Sequence, residues 1–178
     1  MRKLLLLATL ALAALPAAAL AADPPSAADQ ANAAKACAAQ RTAMGVDFKA
    51  LYGTNPDKSN AYGKCVSKLA RAEQGNRANA AKACTAEQAD AGFAAAHGSK
   101  TFDQLYGSGK SGKNAFGQCV AQKAKAASQA QQQATINAAK ACKAERKPDP
   151  AGFKTKYGTN LNKSNAFGKC VAAKASGK

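Results

Sequence analysis

Asn32-Ala-Ala-Lys-Ala-Cys37 returns as Asn79-Ala-Ala-Lys-Ala-Cys84 and again as Asn137-Ala-Ala-Lys-Ala-Cys142. An aromatic pair follows each time and stops at a glycine: Phe48 and Tyr52 before Gly53, Phe102 and Tyr106 before Gly107, Phe153 and Tyr157 before Gly158. After a polar turn the copies close on Asn60-Ala-Tyr-Gly-Lys-Cys65-Val66, Asn114-Ala-Phe-Gly-Gln-Cys119-Val120 and Asn165-Ala-Phe-Gly-Lys-Cys170-Val171. Such a repeat is one supersecondary unit used three times. The units span residues 32–72, 79–127 and 137–178, with a flexible N-terminal segment at 22–31. The paired cysteines of copy two are 35 residues apart, against 28 in the other copies. The difference of seven is an insertion around Phe93 to Lys100.

Each copy reads as three short helices. The first carries the Ala-rich segment and ends near Gly45, Gly92 or Pro148. The second places Phe and Tyr at i and i+4 on one face. The third starts at Asn60, Asn114 or Asn165, a residue type that caps helices. Its aromatic and its Cys are three apart, so both are expected to face a core. No segment alternates in the manner of a strand, and the expected class is all-α. From Asn114 to Lys147 the chain is mostly Ala, Gln and Lys, all helix-permissive. This stretch reads as one shared helix that ends module two and begins module three. Gly75 is expected to loosen the earlier junction, which leaves three modules in a row along a partly stiff rod.

Six cysteines, two per copy, read as three disulfides of a secreted chain. Six cysteines allow 15 pairings in principle. On one continuous helix Cys119 and Cys142 stand about 35 Å apart, whereas a disulfide needs Cα atoms within ~7 Å. The simple remaining pattern lies within the copies: Cys37–Cys65, Cys84–Cys119 and Cys142–Cys170. A zinc site has no support, because no C-x-x-C occurs and no His lies near any Cys.

Met1-Arg2-Lys3 followed by the apolar run Leu4 to Leu20 and the small-x-small triplet Ala19-Leu20-Ala21 reads as a signal peptide, residues 1–21. The expected location is therefore secreted, cell surface or periplasm, with no membrane insertion after cleavage. The full chain has 178 residues with 26 Lys and Arg against 10 Asp and Glu. Removing residues 1–21 takes Arg2 and Lys3, leaving 157 residues, 24 basic and 10 acidic, net +14. Forty of the 157 are Ala, while Leu, Ile, Val and Phe total 15. So few large apolar groups do not fill one large core, and each module needs its disulfide staple.

Several motifs have plain readings. Gly107-Ser-Gly-Lys-Ser-Gly-Lys113 lacks the frame of a phosphate loop and aligns with the polar turns of the other copies. Asn160-Leu-Asn162-Lys-Ser164 has calcium-loop spacing without carboxylates. His97 stands alone in the insertion, with no nucleophile placed beside it. No catalytic set recurs in the copies, so an enzyme, a cofactor or a metal is not expected. Tyr52, Tyr106 and Tyr157, each beside a glycine turn, are the aromatics expected to offer a hydroxyl to a ligand.

Basic charge is the feature the copies share. Lys35, Lys82 and Lys140 occupy one repeat position. Lys64 and Lys68 lie four apart, Lys123 follows Cys119, and Lys169 and Lys174 flank Cys170. These eight lysines are expected to bind an anionic polymer, either an envelope polymer or extracellular nucleic acid. Two other classes fit in part. A protein-protein interaction or inhibitor module would use the copy-two insertion as its contact loop. A secreted antimicrobial or toxin-like protein would share the cationic helices, but these lack the apolar faces that insert into membranes.

The phrases Asn-Ala-Ala-Lys-Ala-Cys, Tyr-Gly-Thr-Asn and Asn-Ala-Phe-Gly-Lys-Cys-Val, as they stand in copies one and three, resemble a module of uncharacterised short secreted bacterial proteins. Copy two departs in its turn and insertion. The resemblance covers nearly all of residues 32–175. It implies an exported bacterial protein and brings no activity, substrate or site residue.

Overall fold

The computed structural model describes residues 24–108 and 112–177. The expected signal segment 1–21 and the turn residues 109–111 lie outside the described residues. The protein is all-α, with eight helices and no strand among the described residues. They are α1 (Ala27–Met44), α2 (Val46–Tyr52), α3 (Ala61–Ala89), α4 (Phe93–Ala96), α5 (Phe102–Tyr106), α6 (Ala115–Arg146), α7 (Pro150–Tyr157) and α8 (Ala166–Ala175).

Local chemistry sets the helix ends. Ser26 opens α1 with a capping box: its Oγ accepts the Asp29 N–H at 3.2 Å and the Asp29 carboxylate accepts the Ser26 N–H at 2.9 Å. Buried Asp29 also pairs with Arg77 of α3 at 2.6 Å. Residues 27–31 are therefore helical, which corrects the flexible segment expected at 22–31 over that part. At the other end Gly45 takes φ +57°, a left-handed position that glycine adopts without strain. In each copy the second helix sets its Phe ring against its Tyr ring at a tilt of 51 to 53°, with centroids 5.0, 5.0 and 4.9 Å apart.

Gly75 does not interrupt α3. A glycine costs a helix interior only about 1 kcal/mol, and contacts to α6 hold the two turns beside it. Ser128 Oγ donates to the Glu73 carboxylate at 2.7 Å and accepts from the Asn76 amide at 2.9 Å. Both junctions between modules are consequently continuous helix.

The disulfides pair Cys37–Cys65, Cys84–Cys119 and Cys142–Cys170, with Cα atoms 6.0, 6.1 and 6.0 Å apart. They staple α1 to α3, α3 to α6 and α6 to α8. Because α3 and α6 run antiparallel from the middle staple, their far ends lie side by side. Cys65 is 19 residues from Cys84, and Cys142 is 23 from Cys119. At ~1.5 Å per residue those are about 28 and 35 Å along the helices. Modules one and three thus arrive at nearly the same level and pack together. The row of separate modules is corrected to a folded-back body.

One core spans modules one and three. Its large members are Met44, Phe48, Tyr52, Leu69, Phe153, Phe167 and Val171, all buried. Ala and Cys supply 11 of its 18 buried residues, seven Ala and four Cys. Helices faced with such small groups approach closely enough for few large side chains to fill the gap. At the docking line, Arg146 of α6 reaches Asp47 of α2 at 2.7 Å and covers the Phe167 ring.

Module two, at the far end, has its own small core of Cys84, Phe93, Phe102, Ala115 and Cys119. Its insertion forms α4, which buries Phe93 against Phe102 with centroids 5.7 Å apart. The added aromatic takes the part that the sister module plays elsewhere. The aromatic three residues before the second Cys divides accordingly. Phe167 is 4 % exposed, whereas Tyr62 is 38 % and Phe116 39 % exposed, so the expected core role holds only where another module covers the ring.

Replacing Phe93 with Ala is expected to lower the opening free energy of the α4 and α5 amides by about 3–5 kcal/mol, the range for a buried Phe. Native-state hydrogen exchange measures it. A change below ~1 kcal/mol would show that α4 does not carry module two.

Candidate functional site

The repeated turn is a structural clasp. The Asn60 side-chain oxygen Oδ1 accepts the Thr54 N–H at 3.0 Å while its Nδ2 donates to the Thr54 hydroxyl at 2.8 Å. Asn114 does the same to Ser108, and Asn165 to Thr159. The three Asn residues stand at the expected helix starts, but their side chains close the turn instead of capping. Lys58 and Lys163, both with left-handed φ, fold back and donate to the carbonyls of Gly53 and Gly158 at 3.0 Å. A Cβ on Gly53 would come within 2.7 Å of the Lys58 Cβ, which explains the glycine. The Asn160 amide is spent on Asn162 and Ser164 within its own turn, at 2.9 Å each. In the insertion, exposed His97 stacks on Phe93 at 4.0 Å, and its Nδ1 bonds the Phe93 carbonyl, which can only accept.

The tyrosine hydroxyls are not offered to a ligand. Three residues after the first Cys of each copy stands an acceptor: Gln40, Glu87 or Glu145. Tyr52 donates to Gln40 at 2.5 Å, Tyr106 to Glu87 at 2.9 Å and Tyr157 to Glu145 at 3.0 Å. The bond ties the second helix to the first. Lysines complete two of these networks. Lys123 pairs with Glu87 at 2.8 Å, while Lys156 and Lys174 pair with Glu145 at 2.7 and 3.1 Å. The hydrogen-bonded ammonium of Lys156, then that of Lys174, holds the Glu145 carboxyl down at about 2. Glu87 is lowered chiefly by Lys123. Burial pushes the Tyr52 hydroxyl up to about 12, partly opposed by Gln40. The acceptor at a fixed offset from Cys was visible in all three copies; its identity changes from Gln to Glu, which hid it from a search for identical residues.

Among the eight lysines assigned to ligand binding, Lys123 and Lys174 are therefore committed to internal ion pairs. Lys68 rests its ammonium 5.8 Å from the centre of the Tyr52 ring. Lys35, Lys64, Lys82, Lys140 and Lys169 are exposed and reach no carboxylate among the described residues. The described residues include 22 Lys and Arg, of which six make ion pairs and sixteen do not.

The eight lysines do not converge on one spot, but one of them, Lys35, borders the largest concavity described. A groove of about 550 Å³ opens between α1 and α6, lined also by Glu73 and Arg77 of α3. Lys35 and Asn32 stand on one wall; Lys125, Gln129 and Gln132 stand on the other. Alanines 36, 39, 121 and 124 make the rest of the lining mostly apolar. Asp29 is paired with Arg77, whereas Glu73 keeps its charge and accepts from the Ser128 hydroxyl; with Lys35 and Lys125 the lining is left with a single net positive charge. Lys125 is not among those eight; the antiparallel return of α6 is what brings it opposite Lys35.

Three disulfides point to an oxidising compartment outside the cytoplasm. No helix among the described residues is long and apolar enough to cross a membrane. Comparison with protein-family models, curated proteins and solved structures gave no match.

The titration of these networks fixes a pH profile. A carboxylate with a depressed folded pKa stabilises above its unfolded value, and that stability is lost as pH falls towards about 2 for Glu145. A hydroxyl raised to about 12, as in Tyr52, stabilises below about 10 and loses that stability as pH rises through its folded value. Thermal unfolding scans are expected to show a plateau between about pH 5 and 9 and losses on both sides. Glu145→Gln should lower Tm near neutrality and converge with the parent towards about pH 2. A deficit independent of pH would contradict the ion-pair assignment.

Proposed function

We propose that the mature chain is a non-enzymatic secreted protein that binds anionic polymers outside the cytoplasm, either envelope polymers or extracellular nucleic acid. The observation that carries this reading is the sixteen described cations without a carboxylate partner. Four carboxylates already serve six other cations in the latches and the docking line; of the sixteen, Lys58 and Lys163 close turns and Arg41 and Lys68 lie over tyrosine rings, and the rest are surplus to these contacts. A surface with this surplus attracts polyanions, and the gain comes largely from releasing their counterions.

Single exposed charges contribute little in high dielectric. A long polymer meets several on one body, and the second and later contacts form at high effective concentration. In this reading one polymer segment sits in the groove between Lys35 and Lys125, where Asn32, Gln129 and Gln132 line the walls and would bond its polar groups. The remaining lysines on α3, α6 and α8 extend the contact. Lys outnumbers Arg 20 to 4 after residue 21. This favours point-charge contact over bidentate recognition, and hence low sequence selectivity. The folded-back body replaces the rod in this reading: the charges act from one body, without independent beads.

The test is binding of the oxidised mature chain to a labelled polyanion, such as a DNA duplex, at ~50 and ~200 mM salt. Affinity is expected to fall by at least about tenfold across that range, and the paired change Lys35→Gln, Lys125→Gln to reduce the salt slope by about two. Affinity unchanged by salt would overturn the electrostatic reading. A slope unchanged by the paired substitution would move the contact away from the groove.

A further inference from the structure

We infer that Gln40, Leu51 and Leu69 make module one the receptor when modules one and three dock, and that the ionic set at the same repeat positions keeps module three from that part. Each module has two faces that could serve. One carries the latch between its first and second helices. The other is the third helix, with its aromatic, glycine and valine at fixed offsets. The folded-back arms bring modules one and three together, but the contact between them is lopsided. Module three gives its third helix: Phe167 and Val171 are buried, and a Cβ on Gly168 would stand 3.8 Å from the Leu51 carbonyl. Module one gives its latch face: Leu51, Tyr52 and Leu69 line one cavity with Gly168 and Val171. The third helix of module one is not used in this way, and its Tyr62 stays 38 % exposed.

The third helix does not make the choice, because Tyr62-Gly63 with Val66 repeats the pattern of Phe167-Gly168 with Val171. The latch differs between the copies. Three residues after the first Cys stand Gln40, Glu87 and Glu145. Just before the Tyr stand Leu51, Leu105 and Lys156, and four residues after the second Cys stand Leu69, Lys123 and Lys174. In module three the set is a carboxylate with two ammonium groups, paired at 2.7 and 3.1 Å and open to solvent. In module one all three positions are neutral, Gln40 is fully buried and Leu69 is buried. Module two stands between them, with Leu105 beside the exposed side of a Glu87–Lys123 pair at 2.8 Å. The charges disappear together in the copy whose latch is covered.

Desolvation gives the reason. Covering the ionic latch would take three charges out of water, and their pairing repays that only if every remaining hydrogen bond is made. Glutamine keeps the bond the latch needs, from the Tyr52 hydroxyl at 2.5 Å, and carries no charge to desolvate. Its amide Nε2 is buried with no partner among the described residues. One unpaired neutral donor costs less than one unpaired buried ion. The two leucines then supply apolar area where lysines would have held ammonium groups against the incoming helix. This assignment rests on no part of the polyanion reading.

The experiment is native-state hydrogen exchange of the oxidised mature chain and of the variant Gln40→Glu, Leu51→Lys, Leu69→Lys, which gives module one the latch of module three. The α8 amides are expected to exchange at least about tenfold faster, as undocking exposes them. The α2 amides should stay protected by the new latch, and α4 and α5 of module two should be unchanged. Gln40→Glu alone removes no apolar area, and it should also speed α8 exchange by about tenfold, through the buried charge. Adding Leu69→Lys to it should restore α2 protection without restoring that of α8. Unchanged α8 rates in the triple variant would overturn the inference. If the triple variant opens throughout, Gln40→Glu decides, and α8 rates equal to the parent's in that variant overturn it.

Discussion

Cys84 and Cys119 hold α3 against α6 at a Cα separation of 6.1 Å, and both helices run on beyond that bond without a break. The rest of the architecture depends on this pairing of a covalent staple with two stiff arms. An antiparallel pair fixed near one end places its other ends beside each other. The outer disulfides sit near those ends and add α1 and α8 to the outside. A break in either arm would free modules one and three to move independently, and the shared core would have no reason to form. Hence Ser128, which bridges Glu73 and Asn76 on either side of Gly75, matters more than its single hydroxyl suggests.

The fold also shows how a chain with few large apolar residues builds an interior. Alanine faces and buried cysteines make most of the shared core, and the seven larger side chains are gathered at one place. A disulfide closing a loop of about 30 residues contributes roughly 3–4 kcal/mol, mainly by restricting the unfolded chain. Each staple therefore adds stability without requiring apolar area. Module two lies too far along the arms to share the core, and it alone has an extra aromatic from α4. Within the insertion Phe93 takes the place of the missing neighbour, while residues 95–100 stay exposed.

Much of this was legible in the sequence. The glycines after Tyr52, Tyr106 and Tyr157 stop helices as glycine does, the Asn residues mark helix starts, and the Cys pairing follows from helix length. What escaped depends on partners that sequence spacing does not name. Asp29 looks like a residue of a polar tail until Arg77 of α3 is beside it. Gly75 looks like a break until Ser128 bridges it. Phe116 and Phe167 share one local pattern and differ only in what covers them. The tyrosine hydroxyls looked available because their acceptors lie 12 to 19 residues away on another helix. Among the lysines, position in the repeat did not separate Lys123 and Lys174, drawn into latches, from Lys35, which stays free at the groove. The fold-back itself was implicit in the distances between cysteines along the two helices, once both helices are continuous.

Function in this reading is a consequence of economy in carboxylates. Four acidic groups latch helices and dock module one on module three, and most of the surplus cations face solvent. The groove arises where α1 and α6 lie across α3, so it too exists only because the chain turns back on itself. That return is tested most directly by nuclear Overhauser contacts in the methyl-labelled oxidised chain. The account predicts cross-peaks linking the Val171 methyls of module three to those of Leu51 and Leu69 in module one, three residues that line one cavity of about 240 Å³. Cross-peaks confined within each module, with none between residues 51–69 and 171, would contradict it.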